Sequence, residues 1–280
     1  MTGSASSVAA APGTARRMSP RRRRRLTLAG EYALFVVAVL AAALLADWGT
    51  LRDNFADPQV AARLFPEVIT VGLRNTVLYT VTGFAIGLVL GMVIALMRLS
   101  SAAPYRWVAL AYIEVFRGVP ALLVFIFMGP GFSIAFPDRE IPGGVFGQAA
   151  VALGLVSAAY MAETIRAGIQ AVPKGQAEAA RSLGMSHGRA MRSIVIPQAL
   201  RIVIPPLTNE LVLLFKDSSL ALFLGVVLSQ RELTKFANDL ANDQANSTPY
   251  LIAALCYLLI TIPLGFLVRR LEARQNRGTR

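Results

Sequence analysis

Residues 69–97 read ITVGLRNTVLYTVTGFAIGLVLGMVIALM, with Arg74 the single charged side chain. A helix over this stretch, rising 1.5 Å per residue, crosses a hydrocarbon core of roughly 30 Å with room for tilt. Comparable runs recur on both sides of it, at about 26–46, 107–128, 147–169, 198–228 and 250–268. The chain of 280 residues is 55% hydrophobic, with a mean hydropathy of +0.55. Soluble domains hold about 45–50% apolar residues, and the excess here is concentrated in blocks. The expectation is an all-α integral membrane protein with six transmembrane helices.

Two of the runs need closer reading. Residues 26–46 are longer than a secretory signal core, and no convincing small-residue cleavage site follows, so they read as a retained first span. The fifth run is too long for one straight span. Pro205 and Pro206 interrupt its first half and Lys216-Asp217-Ser218-Ser219 its second. A helix over about 198–215 is expected, then irregular or re-entrant chain to 228, which is tolerated at that depth only when buried in protein or lining a cavity.

The formal net charge of +12 does not indicate nucleic acid, because no basic groove with interleaved aromatics is present. Instead, seven arginines lie in the first 25 residues. With the N-terminus inside and the spans alternating, the inner segments hold twenty Lys and Arg, against five in the outer segments 47–68, 129–146 and 229–249. Both termini are therefore expected to be cytoplasmic. The organisation reads as a disordered basic tail (1–25), a first span with its external loop (26–67), a membrane domain (68–270) and a basic C-terminal tail (271–280). Cys256, the only cysteine, lies in an apolar run. His187, the only histidine, lies in a polar loop, so neither a disulfide framework nor a Cys/His metal site can be assembled. No phosphate-binding loop of the Gly-x-x-x-x-Gly-Lys-[Ser/Thr] form occurs.

Gly83, Gly87 and Gly91 recur every four residues on one face of the second span, a spacing that lets another helix approach closely. Between the fourth and fifth spans lies the polar segment Ala171-Val172-Pro173-Lys174-Gly175-Gln176-Ala177-Glu178-Ala179-Ala180-Arg181-Ser182-Leu183-Gly184. Pro173 suits a helix start and Gly184 a helix stop, which bounds a short cytoplasmic helix. Ala177, Ala179, Ala180 and Leu183 are read as a small-residue face, and Glu178 with Arg181 as an i,i+3 charge pair on another. From the residues alone, a docking helix and an ordinary connection both remain open.

This segment resembles the EAA loop of permeases of ATP-binding-cassette importers. Glu178, Ala179, Ala180 and Gly184 match in spacing, as do Ile194 and Pro197, with Ile196 in place of the usual leucine. Glu114-Val115-Phe116-Arg117-Gly118-Val119-Pro120 is similar to a stretch of polar amino-acid permeases, Val119 departing from threonine. Ala159-Tyr160-Met161-Ala162-Glu163-Thr164-Ile165-Arg166-Ala167-Gly168-Ile169 also resembles that family, with Ala167 for glycine. So does Asn209-Glu210 followed by Lys216-Asp217-Ser218-Ser219-Leu220, with Ser218 for threonine. The resemblance covers about residues 68–270 and implies a type I importer permease fold in a bacterial plasma membrane. It implies that Glu178, Ala179, Ala180, Arg181, Leu183 and Gly184 form a coupling helix gripped by a separate ATPase dimer, which binds the ATP and Mg. It also implies a second permease chain, an extracytoplasmic substrate-binding protein and an amino-acid cargo, with no enzyme activity and no cofactor in this chain.

The ionisable residues within the spans include Glu114, Arg117, Glu163, Arg166, Glu210, Lys216 and Asp217. Each is costly in lipid and is expected to face inward and pair. Glu114 with Arg117, and Glu163 with Arg166, read as structural ion pairs, with direct substrate contact as the other reading. Glu210, Lys216, Asp217, Ser218 and Ser219 offer the opposite charges and hydroxyls a zwitterion needs along a substrate path, although Lys216 and Asp217 could simply satisfy each other. A secondary amino-acid transporter driven by an ion gradient would explain the spans and charges but leaves the short cytoplasmic helix without a task.

Overall fold

A computed structural model describes residues 20–278. Its elements in order are α1 (Pro20–Leu45), α2 (Trp48–Phe55), α3 (Pro58–Arg63), α4 (Arg74–Leu99), α5 (Ala103–Gly118), α6 (Ala121–Ile126) and α7 (Phe132–Ala135). They continue with α8 (Gly144–Gln170), α9 (Lys174–Ser182), α10 (His187–Ala190), α11 (Ile196–Asp217), α12 (Leu233–Gln244) and α13 (Thr248–Gly278). Five helical stretches are long and apolar enough to cross a membrane, or six when α5 and the chain Ala121–Ala135 count as one broken span. The six-span all-α expectation therefore holds.

The described residues divide into two compact units, with the boundary between Leu51 and Arg52. In the first, α1 is exposed along almost its whole described length. Residues 20–25, read from composition as part of a disordered tail, are its first turns. The rest of that tail lies outside the described residues. The second unit holds all the remaining spans.

The seam between α4 and α8 organises the second unit. A Cβ on Gly83 would lie 2.5 Å from that of Leu153, one on Gly87 would collide with Ser157 Oγ, and one on Gly91 would lie 3.0 Å from Ala158 O and Met161 Cβ. Gly154 answers from α8, since a Cβ there would strike Ile86. The two backbones thus run parallel at a distance that only glycine permits. Gly168 does the same one step further, where a side chain would strike Val203 of α11.

One span departs from the sequence expectation, and another breaks close to where the sequence placed its break. The third is not one straight helix over 107–128, because α5 and the helical stretch Ala121–Ala135 meet at 103°. Pro120 excludes its predecessor from helical backbone, and Val119 is accordingly extended at φ −89°, ψ 132°. The fifth remains helical through Pro205 and Pro206 to Asp217, and the break comes at Ser218, where a 3-10 segment (Ser218–Leu224) runs to Gly225 at φ +71°.

The connection after that break is held by polar side chains that reach out of the apolar α4. Asn75 Nδ2 donates to the carbonyls of Ser229 (2.9 Å) and Arg231 (3.0 Å), Tyr79 Oη to that of Gln230 (2.8 Å), and Thr76 Oγ1 accepts from the Leu233 N–H (3.0 Å). Glu232, fully buried, caps α12 by accepting from the backbone N–H groups of Thr234 (2.7 Å) and Lys235 (2.6 Å). Tyr257 Oη donates to the same carboxylate at 2.9 Å. Burial outweighs these bonds and pushes the Glu232 carboxyl up to about 7, from 4.5.

Two predictions follow from these contacts. Gly87→Leu lowers stability in detergent by about 1–3 kcal/mol through overpacking, whereas Gly175→Ala, at a position with open space around it, is neutral or slightly stabilising. Equal thermal unfolding for both variants would contradict the seam. The folded chain also holds the Glu232 proton more tightly than the unfolded chain does. The parent therefore loses roughly 3 kcal/mol of stability as pH rises from about 4.5 to about 7, and regains it on acidification. Glu232→Gln removes that slope, as pH-resolved unfolding of both proteins will show.

Candidate functional site

The short helix between the fourth and fifth spans is α9. Its end is a Schellman motif: the Gly184 N–H donates to Arg181 O (2.9 Å) and the Met185 N–H to Ala180 O (3.1 Å), with Gly184 at φ +83°. Ser186 then caps α10, accepting from the Arg189 N–H, and a π-helical turn (Met191–Val195) feeds α11. Ala177 packs on a small cluster of Val172, Val195 and Ala199, beside Ile169, Met191 and Ile202. The stub is thereby fastened to the ends of α8 and α11.

The four residues read as one small face divide between two. Ala180 is buried and Ala177 half-buried, whereas Ala179 is exposed and Leu183 is 85% exposed. Positions three apart (177, 180) and four apart (179, 183) each share a side of a helix, but the two sets point apart. Glu178 and Arg181 do not close the expected ion pair. Both are exposed, where holding two long side chains together gains little. The outer surface of the stub therefore presents Glu178, Ala179, Arg181, Leu183 and Gly184, with Leu183 as its apolar centre.

A cavity of about 230 Å³ lies among Val119, Ala121, Val156, Ser157, Tyr160, Glu210, Leu213, Leu214 and Asp217. Glu210 and Asp217 are seven residues apart, two turns of α11, and so present both carboxyl groups on one face. The α5–α6 corner supplies Val119 and Ala121, and the α4–α8 seam sets the height of Ser157 and Tyr160. The volume is below the roughly 300 Å³ at which drug-sized pockets begin, and suits one small solute.

The other sequence candidates fall at varied distances from this cavity. Lys216 is exposed and outside its lining, and does not form an ion pair with Asp217. Ser218 Oγ donates to Phe215 O (2.7 Å) and Ser219 Oγ to Lys216 O (2.7 Å), so both hydroxyls cap their own helix end. Glu163 and Arg166 form a multiply bonded pair, with Nη2 to Oε2 at 2.6 Å, and Arg166 Nη1 also reaches Gln170 Oε1 (2.6 Å). Glu114 and Arg117 do not pair. Both are exposed at the end of α5, and Arg117 stacks over the Tyr160 ring at 5.4 Å instead. Glu114, Arg117 and Lys216 are thus exposed on the single chain and not closed into ion pairs within it.

Sequence reading missed Ser157 and Tyr160 as cavity residues, and Asn75, Thr76, Tyr79, Glu232 and Tyr257 as the clasp on the segment 229–235. Polar residues at 75, 76 and 79 of an apolar span were the available signal. Glu232 gave none, since an acid in a connecting segment looks like any other.

Comparison with known proteins places these features. Residues 87–277 match the family model described as "Binding-protein-dependent transport system inner membrane component". The chain is 40% identical over 212 residues to the probable glutamine ABC transporter permease protein GlnM of Bacillus subtilis, covering 74% of this chain and 93% of that protein. It is 37% identical over 211 residues to the glutamate/aspartate import permease protein GltK of Escherichia coli O157:H7, covering 72% and 91%. A crystal structure of an amino acid ABC transporter with histidines superposes with a TM-score of 0.69 at 36% identity, over 78% of this chain and 99% of that one. The type I importer permease fold is thereby established, and the ion-gradient reading is set aside. The chain belongs to the family of inner-membrane components of binding-protein-dependent transport systems.

Proposed function

We propose that this chain is the permease subunit of an ATP-driven importer for polar amino acids, set in a bacterial plasma membrane with both termini cytoplasmic. The observation that carries this reading is the fastened stub α9 with its exposed Leu183. A rigid, apolar-centred projection on the arginine-rich side suits the groove of a soluble motor. Two permease chains pair on an ATPase dimer that binds ATP and Mg and performs the hydrolysis, and an extracytoplasmic binding protein delivers cargo to the outer face.

ATP favours one conformation of the assembly by binding it better than the other. Motion of the ATPases reaches α9, and the cluster of Val172, Val195 and Ala199 transmits it to the ends of α8 and α11 together. Those two helices carry Ser157, Tyr160, Glu210 and Asp217, so displacement at the stub reshapes the cavity. In the cavity, Glu210 and Asp217 hold the substrate ammonium. Arg117, stacked on the lining Tyr160, supplies positive potential for the carboxylate. The relatives named above differ in cargo, and these groups recognise the amino-acid backbone common to all of them.

The test is uptake in proteoliposomes holding the whole transporter. Leu183→Asp removes a buried anchor of the interface, worth about 2 kcal/mol or more, and lowers ATPase association roughly thirtyfold. Gly184→Val strains the αL turn by about 1–3 kcal/mol and uncouples hydrolysis from uptake. Normal pumping by both variants would refute the coupling role. Separately, Glu210→Gln and Asp217→Asn each reduce uptake at least tenfold while the ATPase remains bound; unchanged uptake in both would remove the cavity from the path.

A further inference from the structure

The outer face of α13 carries a groove of about 330 Å³, lined by Pro263, Phe266, Leu267 and Arg270. The spacing (i, i+3, i+4, i+7) is that of a single helix face. Upstream, Leu255, Leu259 and Ile262 continue the strip and are 52%, 67% and 50% exposed, so it is apolar and unpacked along the hydrocarbon depth.

Depth follows from the helix rise. Thr248, at the start of α13, is tied to the external segment, its Oγ1 accepting from the Asp57 N–H at 3.0 Å. Arg270 lies 22 residues on, about 33 Å along the axis, which is one hydrocarbon thickness. Its guanidinium therefore sits at the opposite boundary, where headgroup phosphates lie.

The neighbouring cation is already occupied. Arg269 stacks over Phe266 at 4.4 Å. Arg270 is exposed and forms no ion pair, since the ion pairs among the described residues are Glu163–Arg166, Arg231–Asp239 and Lys235–Asp239. Glu272, two positions on, faces another side of the helix. An apolar channel ending in a free planar fork of donors at headgroup depth matches one ligand chemistry: a phosphate diester with an acyl chain attached.

We propose that this groove is a binding site for an anionic phospholipid, with Arg270 holding the phosphate and Pro263, Phe266 and Leu267 the upper part of the chain. Arg269 and Arg274 add positive potential that favours a headgroup with net negative charge over a zwitterionic one. The site depends on α13 spanning the membrane and is independent of the cargo and of the ATPase. In the orientation proposed above it faces the cytoplasmic leaflet.

The test is native mass spectrometry of the full chain titrated with phosphatidylglycerol and, in parallel, phosphatidylcholine. Arg270→Gln weakens the tightest phosphatidylglycerol site about fivefold, the effect of one arginine near an anionic surface. Arg270→Lys retains part of that binding. Leu267→Trp, which fills the groove without touching the charge, weakens binding of both lipids. Arg106→Gln is the control, because Arg106 Nη1 is already donated to Ser100 O (3.1 Å) and Ser101 O (2.5 Å); it changes binding less than twofold. The proposal fails if Arg270→Gln binds phosphatidylglycerol like the parent. It also fails if millimolar inorganic phosphate displaces the lipid, which would mark a plain anion site. Loss of permease pairing or ATPase association in Arg270→Gln with lipid binding intact would assign the face to a protein partner and overturn it as well.

Discussion

The close parallel contact of α4 and α8 is the constraint from which the other geometry follows. Lipid tails are as apolar as leucine, so burial alone does not draw two membrane helices together, and backbone proximity must supply the packing. Gly83, Gly87, Gly91 and Gly154 remove the side chains that would hold the helices apart. With that distance set, α8 presents Tyr79-facing residues on one side and Gly168, against Val203 of α11, on the other. One rigid helix thus spans the seam, one wall of the cavity and the attachment of the stub α9.

The second requirement is that no backbone polar group be left bare at depth. The chain after Asp217 leaves helical geometry, and it does so where Asn75, Thr76 and Tyr79 accept or donate to residues 229–233. Glu232 contributes the other half of this clasp. It is a buried acid without a cationic partner, held by two N–H groups and a tyrosine hydroxyl. Such an arrangement is satisfied locally but resists the charged form, which places its titration near neutrality. The clasp lies beside the 3-10 segment that follows Asp217, so the segment 229–235 and the cavity are joined through the same helix end.

Charges in the spans sort by what is available to them. Glu163 and Arg166 lie on one helix face and neutralise each other. Arg117 finds an aromatic ring, and Glu210 and Asp217 find a cavity. Glu114 and Lys216 are exposed on the single protomer, which is consistent with a membrane component that works beside other chains.

Much of this was legible in the sequence. Runs without charge declare spans because the bilayer tolerates little else, and the glycine spacing on α4 declared a packing face because helical periodicity puts every fourth residue on one side. Pro173 and Gly184 bounded the short stub α9 through backbone geometry that belongs to those residue types. Only the tertiary structure decided which way each face turned. That Ala179 and Leu183 point outward, that Arg117 takes Tyr160 rather than Glu114, that Lys216 stands outside the cavity, and that the third span bends at Pro120 all depend on distances between segments far apart in the chain. Local sequence sets which conformations a segment can adopt, but partners across helices set which polar groups are satisfied, and in lipid that second condition governs where each charge comes to rest.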